Sequence, residues 1–250
     1  MSPLTGKTAV VTGAGRGIGR AIAQRLAADG ARVGVHFGTR ADAAEQTVHQ
    51  IREAGGSAFS FGAKLGEPGD AERLWAAFDE HADGVDILVN NAGILGTRTS
   101  FTDLTREEYE NVFAVNTTAP VFVVQQGLPR LRDGGRIVNL STRFTHGMRI
   151  PELLAYAMSK AAIDAFTATL AKDLAPHGIT VNAVGPGSVD TDMNAARLAT
   201  PEGRAAVAAQ SPFNRVAQPA DIADIVAFLA SEDARWVTGQ WIDATGGSML

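Results

Sequence analysis

The sequence predicts an α/β fold of the doubly wound kind, a parallel sheet of about seven strands with helices on both faces. Two observations carry that prediction. Short β-branched apolar runs alternate with helical apolar periodicity along the 250 residues, and strands buried on both faces read as such continuous runs. Glycines and polar residues recur just after those runs, where open parallel sheets bind their ligands. No linker-like tract and no internal repeat interrupts the pattern, so residues 1–250 are expected to form one domain.

Thr8 to Thr12 reads as the first strand, and Ile18, Ile22 and Leu26 then recur at helical spacing until Gly30. Between them lies a glycine-dense turn, Gly13, Ala14, Gly15, Arg16, Gly17, Ile18, Gly19. Such a turn lets a ligand approach the backbone, and the helix that follows offers unpaired N–H groups to a phosphate. The commonest dinucleotide fingerprint needs a glycine where Ile18 stands; Gly13, Gly17 and Gly19 fit a variant of it. A tight turn with no ligand, or one holding another phosphate, would use the same residues.

The alternation then continues. Ala31 to Phe37 is a predicted strand, Ala41 to Ala54 a helix, Ala58 to Ala63 a strand, Asp70 to His81 a helix, and Val85 to Val89 a strand ending in Asn90, Asn91, Ala92 and Gly93. Thr105 to Glu108 makes a capping box that opens a long helix through Asn116, and Arg136 to Leu140 is a strand running into Ser141 and Thr142. A helix over Tyr156 to Ala175, a strand Thr180 to Val184, a loop-rich stretch to Pro212, a helix Pro219 to Ala230 and a strand near Gln240 to Ala244 complete the chain. The glycine turn, the Asn90 segment, Thr142 and the loop Gly185, Pro186, Gly187 should line one crevice at the carboxyl ends of the strands.

Composition narrows the function. The net charge of −5 gives no basic field for nucleic acid or an anionic membrane, which favours small-molecule partners. There is no cysteine, the five histidines show no metal-ligand spacing, and no signal segment or spanning apolar run is visible; no metal and a cytoplasmic location are expected. Surface or packing roles are expected for all five histidines, His36 among them.

Tyr156 and Lys160 stand four apart on a predicted helix and project from one face. A free tyrosine has a pKa of about 10, and a nearby ammonium lowers it, so the pair can exchange protons near neutrality. A proton donor beside a carbonyl and a second hydroxyl from Thr142 are what carbonyl reduction requires. An amphipathic helix with a packed tyrosine and a solvated lysine would show the same spacing.

Taken together, Thr12 to Gly19, Asn90 to Gly93, Asn116, Tyr156 with Lys160, and Pro186 to Thr191 resemble the short-chain dehydrogenase/reductase family over essentially the whole chain. The resemblance implies a Rossmann-type fold, an NAD(P) cofactor and a homotetramer built on the helices carrying Asn116 and Tyr156. It makes Tyr156 the acid or base, Lys160 the residue that binds the nicotinamide ribose and lowers the tyrosine pKa, and Asn116 the holder of a water in a proton relay. The family's catalytic serine falls on Thr142, 14 residues before Tyr156 and one more than usual, with Ser141 as the competitor. Cofactor contacts are implied for Gly13, Gly15, Arg16, Gly17, Ile18 and Gly19, for Asn90, Ala92 and Gly93, and for Pro186, Gly187, Val189 and Thr191. Lys64 stands where the family often has an adenine-contacting aspartate, leaving the backbone of Leu65 for that contact.

The end of the second strand bears on the choice of cofactor. An NAD site usually has an acidic residue there, but this sequence has Phe37, with Arg16 in the turn and Arg40 shortly after the strand to pair with a 2′-phosphate. NADPH is therefore expected over NADH, and reduction of a ketone or 3-oxoacyl carbonyl is the expected reaction. An NAD-dependent alcohol dehydrogenase of the same family and a non-catalytic dinucleotide sensor are the alternatives. Residues 143–155 and 192–212 should wall the substrate. Phe144, Met148 and Ile150 could form an apolar side, or Arg143, His146 and Arg149 could meet an anion.

Overall fold

In the computed structural model, which describes residues 3–147 and 150–250, seven strands pair in parallel in the order β3-β2-β1-β4-β5-β6-β7. They are β1 (Thr8–Val11), β2 (Arg32–Phe37), β3 (Ser57–Gly62), β4 (Val85–Asn90), β5 (Leu131–Leu140), β6 (Thr180–Pro186) and β7 (Trp241–Ala244). The helices are α1 (Gly17–Ala28), α2 (Ala41–Glu53), α3 (Asp70–Asp79), α4 (Arg106–Phe113), α5 (Ala119–Gly127), α6 (Leu154–Leu174), α7 (Pro201–Ala208) and α8 (Pro219–Ala230). The expected doubly wound sheet is present, and its strand order reverses at β1 and β4, where a crevice opens.

Alternation along the central strands explains why they are apolar throughout. Ala9 and Val11, Ile87 and Val89, and Val138 and Leu140 face one core, which α1, α2 and α8 cover with Ile22, Leu26, Val48, Ile51, Val226 and Leu229. Val10, Leu88, Ile137 and Val181 face the other, covered by Leu74, Phe78, Val123 and Leu174 of α3, α5 and α6. Successive side chains point to opposite faces, so burial on both requires apolar residues at every position.

Three elements and one cap depart from what the sequence predicts. The expected long helix is α4 and α5 joined by a π turn, Ala114–Thr118, with fully buried Asn116 at its centre. Only half of the capping box forms: the Thr105 hydroxyl accepts from the Glu108 N–H, but the Glu108 carboxylate accepts from Thr97 N–H rather than closing back on Thr105. β5 begins at Leu131, before the apolar run, because Leu131 pairs with Val85 ahead of a register shift. The stretch expected to be all loop contains α7, which Thr200 caps through the Gly203 N–H, with Pro201 at its first position.

Candidate active site

The glycine turn crosses from β1 to α1 at the crevice. Gly13 and Gly17 have φ of +63° and +53°, which residues with a Cβ rarely adopt. Gly19 is needed for space: a Cβ there would lie 2.4 Å from Asn91 Nδ2 and from the Gly13 carbonyl. The Thr12 hydroxyl accepts from the Asn91 and Ala92 N–H groups at 2.9 and 3.0 Å, and Asn91 Nδ2 donates to the Thr12 carbonyl at 2.8 Å. Buried His36 closes the other side, Nδ1 accepting from the Gly13 N–H at 3.2 Å and Nε2 donating to the Ala63 carbonyl at 2.9 Å. A pyrophosphate fits here: α1 has no side-chain cap and no acid in its first turn, so its N–H groups remain available.

Across the crevice, the ends of β4 and β5, the π turn and α6 bring four expected residues together. Asn116 Oδ1 accepts from the Ile94 N–H at 2.8 Å, while its Nδ2 donates to the Ile94 carbonyl at 2.9 Å and to Ser159 Oγ at 3.1 Å. Lys160 Nζ donates to the Leu140 carbonyl at 2.7 Å. A Cβ on Gly93 would sit 3.1 Å from Asn116 Oδ1 and 3.4 Å from Lys160 Nζ, so the glycine marks where these groups meet. Asn90 Nδ2 donates to Asn139 Oδ1 at 2.9 Å, tying β4 to β5, and its own Oδ1 is buried without a partner among the described residues. Thr142 and Ser141 diverge as an extended chain requires. The Thr142 hydroxyl lies within reach of Tyr156, whereas Ser141 Oγ lies by the Asp164 carboxylate on the other side, short of a well-formed hydrogen bond.

The electrostatics correct one expectation. Burial pushes the Tyr156 hydroxyl up to about 12, against a smaller downward pull from Thr142, and Lys160 does not lower it. The ammonium is turned to the Leu140 carbonyl, and burial brings it down to about 8 while Asp164, one turn further along α6, pulls it back up. Burial raises the pKa of Asp164 in turn. Tyr156 is thus a neutral phenol at physiological pH, suited to giving a proton.

Residues 13–249 match the family model described as enoyl-(acyl carrier protein) reductase. Versicolorin reductase stcU of Emericella nidulans is 40% identical, over 98% of this chain and 96% of its own. The angucycline C-6 ketoreductase LanV, solved with bound NADP, is 46% identical with a TM-score of 0.93, covering 100% of this chain and 98% of that one. LugOII, a promiscuous reductase that catalyses keto-reduction at C1 during lugdunomycin biosynthesis, is 43% identical with a TM-score of 0.95 and full coverage of both chains. The chain belongs to the short-chain dehydrogenase/reductase family.

The remaining expected residues of this short-chain dehydrogenase/reductase lie around the glycine turn and the strand ends, several of them packed on the cores. Thr191 packs its methyl group 3.3 Å from where a Gly17 Cβ would be, and Val189 is buried and pairs with Ala217. Pro186 ends β6, and Gly187 lies so close to Thr245 that a Cβ would contact its backbone at 3.3 Å. Gly15 backs onto the start of α2, while Ile18 and Phe37 pack on the first core. Leu65 packs on the second core, and Lys64 is turned to Glu67 at 2.5 Å. Arg16 and Arg40 face the crevice mouth, but both reach Asp192 there.

On the substrate side, the Phe144 ring meets Tyr156 edge-on with centroids 6.3 Å apart, and His146 stacks on Trp241. Arg143 is buried, its guanidinium donating to Ser248 Oγ, Gln210 Oε1 and Ser188 Oγ, so it ties segments together beneath the surface. Ile150 leads into the turn before α6, and the expected wall residues Met148 and Arg149 lie outside the described residues. A wall not expected from the sequence is the segment after Gly93: its Leu95 and Phe101, with Leu153 of the expected 143–155 wall, enclose a space of about 10 Å³ against Tyr156, room for one water at most. A larger cavity of about 350 Å³, bounded by Arg143, Gln210, Phe213, Thr245 and Ser248, does not reach Tyr156. The sequence does not announce the part His36 plays in the site, nor the bonds by which Asn91 of the expected segment holds Thr12. The Thr12-to-Asn91 bonds span distant segments, and only the nearness of His36 to the end of β2 hinted at its contact with the turn.

Proposed function

We propose that this chain is an NADPH-dependent ketoreductase acting on a ketone of a polycyclic aromatic polyketide or a related carbonyl compound. The observation that carries the proposal is the convergence of Thr142, Tyr156, Lys160 and Asn116 beside an uncapped glycine turn. When bound, the nicotinamide supplies the hydride. The Tyr156 hydroxyl, kept protonated by burial, gives its proton to the carbonyl oxygen as that oxygen gains negative charge. Thr142 donates a hydrogen bond to the same oxygen, one that strengthens as the charge develops. Lys160, held by the Leu140 carbonyl, places a positive charge beneath the site and would hold the nicotinamide ribose. Asn116, aligned by the π turn, braces the Ile94 backbone next to Lys160, where it would hold the relay water that returns a proton to Tyr156.

Arg16 and Arg40 would hold the 2′-phosphate, and Gly13 to Gly19 the pyrophosphate. The substrate class rests on likeness to LanV, also solved with NADP and rabelomycin, to LugOII and to versicolorin reductase. We further propose a cytoplasmic homotetramer joined through α5 and α6, where Phe122 and Met158 leave large apolar side chains exposed. Light scattering that gives a monomer at micromolar concentration would refute that assembly.

The functional test is loss of NADPH absorbance with a panel of polycyclic aromatic ketones and 3-oxoacyl thioesters, with NADH in parallel. Turnover of an aromatic ketone with NADPH favoured is the expected result. Tight NADPH binding without turnover of any panel member would favour a dinucleotide sensor instead.

A further inference from the structure

The two cations at the mouth of the glycine turn converge on one carboxylate from the opposite wall. Asp192 Oδ2 lies 2.6 Å from Arg16 Nη1 and 3.9 Å from Arg40 Nη2. Among the described residues no other carboxylate comes within 4 Å of either guanidinium. Arg16 stands at the start of α1 and Arg40 at the start of α2, so the bridge spans the crevice from the turn to the segment after β6. Asp192 does not hang freely there. Thr191 rests against Gly17, Val189 pairs with Ala217, and Asn194 Nδ2 donates to the Val189 carbonyl at 2.8 Å, so the carboxylate is carried over the turn by a braced segment.

All three side chains are more than half exposed, with 57% for Arg16, 53% for Arg40 and 67% for Asp192. An exposed bridge adds little to stability, so this one is better understood by what it occupies. A carboxylate between two guanidinium groups offers them charge of the same sign, and acceptor oxygens of the same kind, as a phosphate monoester. We infer that Asp192 is a specificity-determining residue of the cofactor site, its carboxylate competing with the 2′-phosphate of NADPH for Arg16 and Arg40 and so restraining the preference for NADPH over NADH. The inference rests on the proposal that these two arginines meet that phosphate. NADPH must displace Asp192 and then sits beside its negative charge, whereas the 2′-hydroxyl of NADH leaves the bridge in place. Because the groups are exposed, salt should weaken the competition.

Asp192→Asn keeps the shape of the side chain and removes its charge. Dissociation constants for NADPH and NADH, from fluorescence titration of each nucleotide at low salt, give the readout without turnover. The variant should bind NADPH about two- to fivefold more tightly, the range an exposed ion pair can supply, with NADH unchanged. Equal tightening of both nucleotides would make Asp192 a mere clasp across the crevice and overturn the inference, as would unchanged or weaker NADPH binding. The double variant Arg16→Ala, Arg40→Ala separates this from failure of the underlying reading. It should weaken NADPH and spare NADH; if NADPH affinity does not change, the arginines do not hold the phosphate and the inference falls with that reading.

Discussion

Lowering the pH from 7.5 to 5 should destabilise the native chain through one buried imidazole at the glycine turn. His36 is 1% exposed, and both ring nitrogens are committed, one accepting from Gly13 and one donating to Ala63. A second ring proton would point at the Gly13 N–H, and burial holds the pKa down at about 4. In the unfolded chain it returns to about 6.5. Above that value both states are neutral and nothing is lost. As the pH falls towards 4, the unfolded chain takes up a proton that the native one refuses, so stability declines. The gap of about 2.5 units corresponds to about 3 kcal/mol in full, at ~1.4 kcal/mol per unit, and about 2 kcal/mol is already gone at pH 5. Urea unfolding at both pH values, for the native chain and His36→Gln, isolates this contribution, because titrating carboxylates are common to both. The native chain should lose about 2 kcal/mol more than the variant. Equal losses would refute the role given to His36.

Other outcomes follow from the hydroxyls and from Lys160. Thr142→Val should lower kcat about a hundredfold to a thousandfold, the usual effect of losing one such donor, while Thr142→Ser stays active and Ser141→Ala is mild; the reverse pattern would place the catalytic hydroxyl on Ser141. Circular dichroism and NADPH titration on each variant separate catalysis from folding. With Lys160 at about 8 in the free chain, kcat/KM for NADPH should fall as the pH rises through that value and the ammonium is lost. A profile flat to high pH would contradict it. Lys160→Ala should lose activity and also bind NADPH more weakly, and unchanged affinity would remove the ribose contact from its role.

The fold was legible because burial on both faces of the sheet leaves a simple pattern. Val10 and Val11 serve opposite cores, yet both must be apolar, so β1 shows up as a continuous run. The glycine turn was visible too, since Gly13 and Gly17 need positive φ and Gly19 needs room. What periodicity could not reveal depends on contacts between distant segments. Glu108 had the right spacing to close a capping box, but the Thr97 N–H, brought near by the chain after β4, took its carboxylate. The π turn at Asn116 adds a residue to a helix without altering its composition. The four-residue spacing of Tyr156 and Lys160 placed them on one face of α6 but could not show that the ammonium would turn to Leu140. Asp192, 176 residues from Arg16, gave no sign in the sequence that it would engage the expected phosphate-binding arginines. For α7 the signal was present in Thr200, Pro201 and Glu202, a cap, a helix-starting proline and an acid in the first turn.

The proposed reaction turns on the proton that Tyr156 gives during NADPH-dependent reduction of a ketone. Tyr156→Phe keeps the ring that Phe144 packs against and removes only the hydroxyl. With an aromatic ketone reduced by the native chain as substrate, kcat and the NADPH dissociation constant should be measured on the same preparation of the variant. Loss of turnover with NADPH affinity nearly unchanged is the expected result. Substantial residual turnover would contradict it, because another group would then have to supply the proton.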